Sequence, residues 1–129
     1  MSLLYSQESY LIRGACFDIY KKFRSTQKES VYQRSLLEEL KSKGLRAERE
    51  KQFPVYHLGA KVGIYTPDLI VNDAIILELK TKPFLHKEDI RQFWYYLKNS
   101  KFTLGFLINF GEPNGVKIIR RIYEKARAA

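Results

Sequence analysis

Positions 74–80, Ala-Ile-Ile-Leu-Glu-Leu-Lys, constrain this chain more than any other stretch. Four apolar residues in a row predict a buried strand. Glu78 and Lys80 follow two apart, so both project from one face of that strand. An ionised group in a buried strand costs several kcal/mol unless something compensates it. A second carboxylate is within reach, because Thr66-Pro67-Asp68 closes the apolar run just before. Two carboxylates and a lysine converging at a sheet edge form a site for a hard divalent cation and a phosphate.

The rest of the composition bounds what can surround that site. At 129 residues the chain is expected to be one domain, burying roughly two thirds of its unfolded surface without disulfides or metal staples. Lys and Arg outnumber Asp and Glu by 23 to 14, and a net charge of +9 favours a polyanionic partner, nucleic acid being the commonest. The lone Cys16 sits on the apolar face of an expected helix and reads as a core thiol. Residues 1–20 contain no run that would serve as a signal sequence, since Ser6, Glu8 and Arg13 interrupt it, and no segment approaches a membrane span. These features predict a cytoplasmic protein with no membrane partner.

Helical spacing of Leu11, Ile12, Ala15, Cys16, Ile19, Tyr20 and Phe23 predicts a first helix over 5–23. A polar loop leads to a second helix that faces Val31, Tyr32, Leu36, Leu37 and Leu40 inward and stops at Gly44. Strands are expected over 45–58, 61–71 and 74–80, joined by turns at Gly59-Ala60 and Asn72-Asp73, as an antiparallel meander. Pro83 breaks the pattern. A third helix over 87–99 carries Ile90, Phe93, Trp94 and Leu97 as its core stripe. Buried and edge strands follow over 103–110 and 116–123, and the tail over 124–129 is either helical or frayed. The order is ααβββαββ, an α/β fold of the α+β type with a mixed sheet.

The pattern Pro67-Asp68, nine residues, Glu78-Leu79-Lys80 resembles the PD-(D/E)xK phosphodiesterases, and the order of elements resembles the three-layer restriction-endonuclease-like core of that superfamily. Gln92-Phe93-Trp94-Tyr95-Tyr96 is similar to the Q-x-x-x-Y helix of its exonuclease-like branch. The whole chain is most similar to the small GxxExxY proteins, through Glu29-Ser30-Val31-Tyr32, Gly44-Leu45, Asp68-Leu69-Ile70-Val71, Leu77-Glu78-Leu79-Lys80 and Leu107-Ile108-Asn109-Phe110-Gly111. Where that family has glycines before the glutamate, this chain has Ser25 and Thr26.

The resemblance implies a metal-dependent nuclease, acting on DNA ahead of RNA. Asp68, Glu78 and the Leu79 backbone carbonyl would hold Mg²⁺ or Mn²⁺, a hard ion that prefers oxygen ligands. Lys80 would orient the attacking water or offset charge in the transition state. Glu29 is either a further metal or water ligand or half of a Thr26-x-x-Glu29 capping box. Gln92 and Tyr96, four apart on one helical face, would reach the active site and lie beside its strand, the alternative being a polar helix flank. Lys87, Arg91 and Lys98 form a separate stripe that either contacts phosphates or is a solvated basic face. The same two readings hold for the basic C-terminus, Lys117, Arg120, Arg121, Lys125 and Arg127. Glu48 and Glu50, among Arg46, Arg49 and Lys51, read as an exposed charged face, though the meander can bring one near Asp68. His57 and His86 show no zinc spacing, and the aromatic residues, mostly at core spacing, are not assigned to base stacking.

Two other functions fit the same residues: a nucleic-acid-binding module that does not cut, and a protein-interaction subunit of a larger complex. A homodimer or a partner protein stays open in each case.

Overall fold

The computed structural model describes residues 4–124; Lys125, Arg127 and the tail beyond Glu124 lie outside them. Helix α1, Ser6–Phe23, buries Ile12, Ala15, Cys16, Ile19 and Tyr20, a three-and-four spacing that makes one apolar stripe. Burial pushes the Cys16 thiol up to about 12 against the opposing pull of Arg13, as suits a core thiol. Helix α2, Glu29–Ser42, buries Tyr32, Leu36 and Leu40, and also Gln33. It ends in a Schellman motif: the Leu45 N–H bonds to the Leu40 carbonyl and the Gly44 N–H to the Lys41 carbonyl, each at 3.0 Å. Gly44 adopts φ 84°, a conformation that glycine reaches without strain.

The loop between the two helices is held by Tyr32. Its hydroxyl donates to the Arg24 carbonyl and accepts from the Gln27 N–H, and its ring stacks on Phe110 at 4.5 Å. The residue of positive φ in this loop is Arg24, at φ 53°, one position before Ser25.

The three-stranded meander expected over 45–80 is five strands. Segment 45–58 divides into β1, Ala47–Arg49, and β2, Phe53–His57, and segment 61–71 into β3, Ala60–Tyr65, and β4, Leu69–Val71. Strand β5, Ile75–Lys80, is where the sequence places it. Two breaks cause the division. Glu50 takes φ 55° and ends β1, and Pro67, which has no N–H to give a ladder, ends β3. The outer halves, β2 and β3, pair only with each other and form a separate two-stranded sheet. The inner halves continue the meander as β1–β4–β5. Asn72 and Asp73, at φ 53° and 51°, make the expected tight turn between β4 and β5. The turn between β2 and β3 falls on Leu58-Gly59, one residue earlier than Gly59-Ala60.

Helix α3, Lys87–Asn99, crosses over from β5 to β6, Leu104–Asn109, which runs parallel to β5. All six residues of β6 are buried, as the apolar run over 103–110 requires. Strand β7, Lys117–Ile122, closes the sheet antiparallel to β6, giving the order β1-β4-β5-β6-β7.

The sheet has two covered faces. On one, Ile75, Leu77 and Leu79 pack with the stripes of α1 and α2. On the other, Ile76 packs with Phe93 and Leu97 of α3, and Phe53 and Tyr65 of the hairpin lean on the same cluster. Side chains alternate along β5, so Glu78 and Lys80 fall on the α3 and hairpin face. Among the described residues no helix is long and apolar enough to cross a membrane.

Candidate active site

The end of β5 lies beyond the end of β4. Pairing between them stops at Leu69 with Leu77, so Leu79 has no β4 residue opposite it. Asp68, one residue before β4, fills part of that gap. Its Oδ2 accepts the Leu79 N–H at 2.7 Å. In a strand the N–H and C=O of one residue point to the same side. The Leu79 carbonyl therefore points toward Asp68, past the end of the β4 ladder, while the neighbouring Lys80 carbonyl faces β6 and accepts from Phe110 at 2.9 Å.

Asp68 is held at its backbone too. Its carbonyl accepts from the Gln33 side chain at 3.1 Å and from the Glu50 N–H at 3.3 Å. Glu78 is fixed by Tyr65, whose hydroxyl donates to Oε1 at 2.6 Å. The ring of Tyr65 in turn lies 4.8 Å from that of Tyr96 on α3.

The electrostatics are those of crowded carboxylates. Burial, then the charge of Asp68, pushes Glu78 up to about 8. Burial pushes Asp68 up as well, against the Leu79 N–H and Lys80, which hold it down. The two carboxyl groups lie close enough to share a proton. Glu29, at the first turn of α2, is raised by its own partial burial and by Asp68, and lowered by Lys80, so it stands within charge reach of both. Glu50 adds a further negative neighbour to Asp68. Among the described residues no three His, Cys, Asp or Glu side chains form a preassembled ligand cluster; the close convergence is the Asp68–Glu78 pair.

Lys80 joins none of the ion pairs formed among the described residues. The nearby Lys82 is paired, at 2.7 and 2.9 Å to the two oxygens of Asp89, and this hydrogen bond holds Asp89 below the usual carboxylate range. Lys80 thus has negative neighbours in Asp68, Glu78 and Glu29 without a closed pair to any of them.

A cleft of about 1020 Å³ opens over Glu78; Asp68 and Glu29 do not line it. Glu78 and Lys80 lie on its floor, the β2–β3 hairpin forms one wall and α3 the other. Gln92 and Tyr96 line it, on the side of α3 that the Q-x-x-x-Y spacing selects. Lys87, Arg91 and Lys98 are exposed on another side of α3 and do not line it. The alternative for Glu29, a capping box, is not formed: Lys28 is the N-cap of α2 with no side-chain bond, and Thr26 Oγ1 donates instead to the Phe23 carbonyl at 2.7 Å.

Four residues that hold the site carry no role in the sequence reading. Tyr65 and Gln33 are the direct supports of Glu78 and Asp68. Asn109 and Gly111 brace the loop after Lys80: Asn109 Oδ1 accepts the Lys82 N–H at 2.9 Å and Nδ2 donates to the Lys82 carbonyl at 2.9 Å. A Cβ at Gly111 would collide with the backbone of Thr81 and Lys82. The only sequence signal for Gln33 is a polar residue at core spacing, four after Glu29.

A family model described as the PD-(D/E)XK nuclease superfamily matches residues 6–122, and the chain belongs to that superfamily. Among solved structures, the crystal structure of an alkaline exonuclease (LHK-Exo) from Laribacter hongkongensis is similar to it. The two are 14% identical with a TM-score of 0.51, and the likeness covers 99% of this chain and 75% of that one. At that identity the likeness speaks for the fold, a restriction-endonuclease-like mixed α/β core. Among curated proteins no match was found.

Proposed function

We propose that this protein is a metal-dependent phosphodiesterase that hydrolyses nucleic acid, DNA ahead of RNA, as a single cytoplasmic domain of the GxxExxY type. Superfamily membership supports the nuclease class. The observation that carries the rest is the Asp68–Glu78 pair, two half-buried carboxyls both pushed upward by burial, Glu78 also by the charge of Asp68, beside a strand carbonyl left outside its ladder.

That donor set fits a hard divalent cation. Asp68 and Glu78 offer carboxylate oxygens and Leu79 a carbonyl, the ligand types that Mg²⁺ and Mn²⁺ take. When bound, the cation would offset the mutual repulsion of the carboxylates and polarise a phosphate oxygen. The remaining work falls to the chain. Tyr65 holds Glu78 in place, and the Leu79 N–H and Gln33 hold Asp68. Lys80, free of a closed ion pair, orients the attacking water and offsets the charge that gathers on phosphorus. Water adds to phosphorus in line, one P–O ester bond breaks, and the leaving oxygen takes a proton. Glu29 and Gln92 flank the reacting group from α2 and α3. Lys87, Arg91, Lys98 and Tyr96 serve the nucleic acid outside the reacting centre.

The test is cleavage of DNA by the purified chain with Mg²⁺ or Mn²⁺. Lys80→Ala should lower the rate by about 10²- to 10⁴-fold while its thermal unfolding stays close to that of the unaltered protein. Cleavage at an unaltered rate in Lys80→Ala would remove this mechanism. No cleavage with either metal, with DNA affinity retained, would leave a binding module.

A further inference from the structure

Resting on the nuclease reading, we infer that the cleft between the β2–β3 hairpin and α3 is a stacking site for unpaired nucleobases, so that the substrate enters as single strand. The walls are the first observation. Pro54, Tyr56 and Ile64 of the hairpin and Tyr95, Tyr96 and Asn99 of α3 all line the cleft. The three tyrosines are not core residues: Tyr56 is 63% exposed, Tyr95 50% and Tyr96 38%. A register shift between Val55 and Tyr56 re-aims the strand at this point, and both residues border the cleft.

The second observation is what the walls lack. A duplex shows a protein its phosphates and groove edges, so a duplex site is lined with Lys, Arg and polar donors. Here, among the described residues, the cations that line the cleft are Lys80 on its floor and Lys101 at its margin, offset by Glu78 and Asp89, and the walls are mainly aromatic and aliphatic, with the polar groups of Gln92, Asn99 and Ser100 set among them. The flat face of a base is offered only where the strand is unpaired, and aromatic side chains are what it stacks on.

The third observation is continuity. Glu78 and Lys80 belong to the cleft floor, so a strand lying between the walls passes over these two members of the candidate reacting centre. Asn99 and Gln92 place amide groups beside it, able to bond base edges. The volume, about 1020 Å³, is at the upper end of the roughly 300–1,000 Å³ of small-molecule sites and takes a short run of nucleotides. The net charge of +9 on the whole chain favours a polyanionic ligand.

Fluorescence anisotropy with the full chain and chelated metal tests the inference without cutting. Labelled single-stranded DNA, the matching single-stranded RNA and a blunt DNA duplex are the probes. The single strands should bind at least about tenfold tighter than the duplex, and the tighter of the two single strands names the sugar. Tyr56→Ala and Tyr95→Ala should each weaken single-strand binding by roughly 5- to 150-fold, leave duplex binding unmoved, and be rescued by Phe at the same positions. Quenching of tyrosine and tryptophan emission in the unaltered protein by the single strand provides a readout that needs no variant. Equal affinity for duplex and single strand, or alanine variants that bind as before, overturns the inference. A dimer that Tyr56→Ala splits into monomers also overturns it, because a second copy would then fill the cleft. Cleavage separates this from the function beneath it. Metal-dependent cutting of blunt duplex, indifferent to the tyrosines, leaves the nuclease and removes the stacking site. Tyrosine-dependent single-strand binding with no cutting leaves the stacking site and removes the nuclease.

Discussion

The two faces of the sheet differ in kind. The face under α1 and α2 is sealed: Tyr32, Leu36, Leu40, Leu77 and Phe106 are fully buried there. The face under α3 has a smaller apolar cluster around Ile76, Phe93 and Leu107, and its other half is the open cleft with Glu78 and Lys80 on the floor. The difference teaches where the fold can carry unfavourable charge. A carboxyl raised to about 8 is a cost to the metal-free protein, and a chain of this size has little stability to spare. The sealed face supplies that stability, and Gln33 and Tyr32 reach from it to hold the backbone and loop that flank the open site.

Leu36→Ala is the hardest way to break this division. Leu36 is fully buried, and truncating such a residue costs about 2–5 kcal/mol. Chemical denaturation should show that loss, while cleavage per folded molecule stays within about twofold, in contrast to Lys80→Ala. A Leu36→Ala protein that is folded yet inactive would show that the two faces are not separable.

How far the sequence carries follows the same division. The strands β5 and β6, the turn at Asn72-Asp73 and the Schellman glycine are legible because each is written in a few adjacent residues. The splitting of the two long strands is not. Phe53-Pro54-Val55-Tyr56 states a preference for extended backbone without saying which sheet it joins, and Pro67, inside the strand expected over 61–71, does not by itself say that β3 leaves for another sheet while β4 stays. In the site, Asp68, Glu78 and Lys80 stand out because charge in an apolar strand is locally improbable. Tyr65 does not, because its aim at Glu78 depends on the hairpin turning away from the sheet. Nor do the roles of Asn109 and Gly111, whose partners at Thr81 and Lys82 lie far off in the chain.

The pH dependence of stability sharpens the comparison from the open face. Folded, Glu78 keeps its proton up to about pH 8; unfolded, it releases it near 4.5. Its contribution is therefore fully present below about 4.5 and is lost as pH rises toward 8, with Asp68 and Glu29 shifted in the same direction. From about pH 6 to about pH 8 the metal-free protein should lose up to ~2–3 kcal/mol, read as a falling melting temperature. Mg²⁺ or Mn²⁺, which takes the deprotonated groups, should raise the melting temperature more at the higher pH. In Glu78→Gln, which has no proton to lose at this position, both trends should flatten. A variant whose melting follows pH and metal as before would place the charge strain elsewhere.

The smallest expected effect belongs to Tyr65→Phe. The hydroxyl donates to Glu78 Oε1 at 2.6 Å and the ring rests against Tyr96, so Phe removes one hydrogen bond and keeps the packing. A hydrogen bond to a charged acceptor is worth about 1.5–3 kcal/mol and one to a neutral acceptor about 0.5–1.5. In the metal-free protein near neutral pH, Glu78 is mostly protonated and stability should fall by only ~1 kcal/mol. The carboxylate form loses more. Phe should therefore push the Glu78 carboxyl still higher, move the rising limb of the cleavage pH profile to higher pH and weaken activation by metal, with stability nearly intact. A purely structural tyrosine would lower the melting temperature and leave the profile where it was. The displacement of that limb thus tells whether the open face is held together for packing or for the charge it must carry.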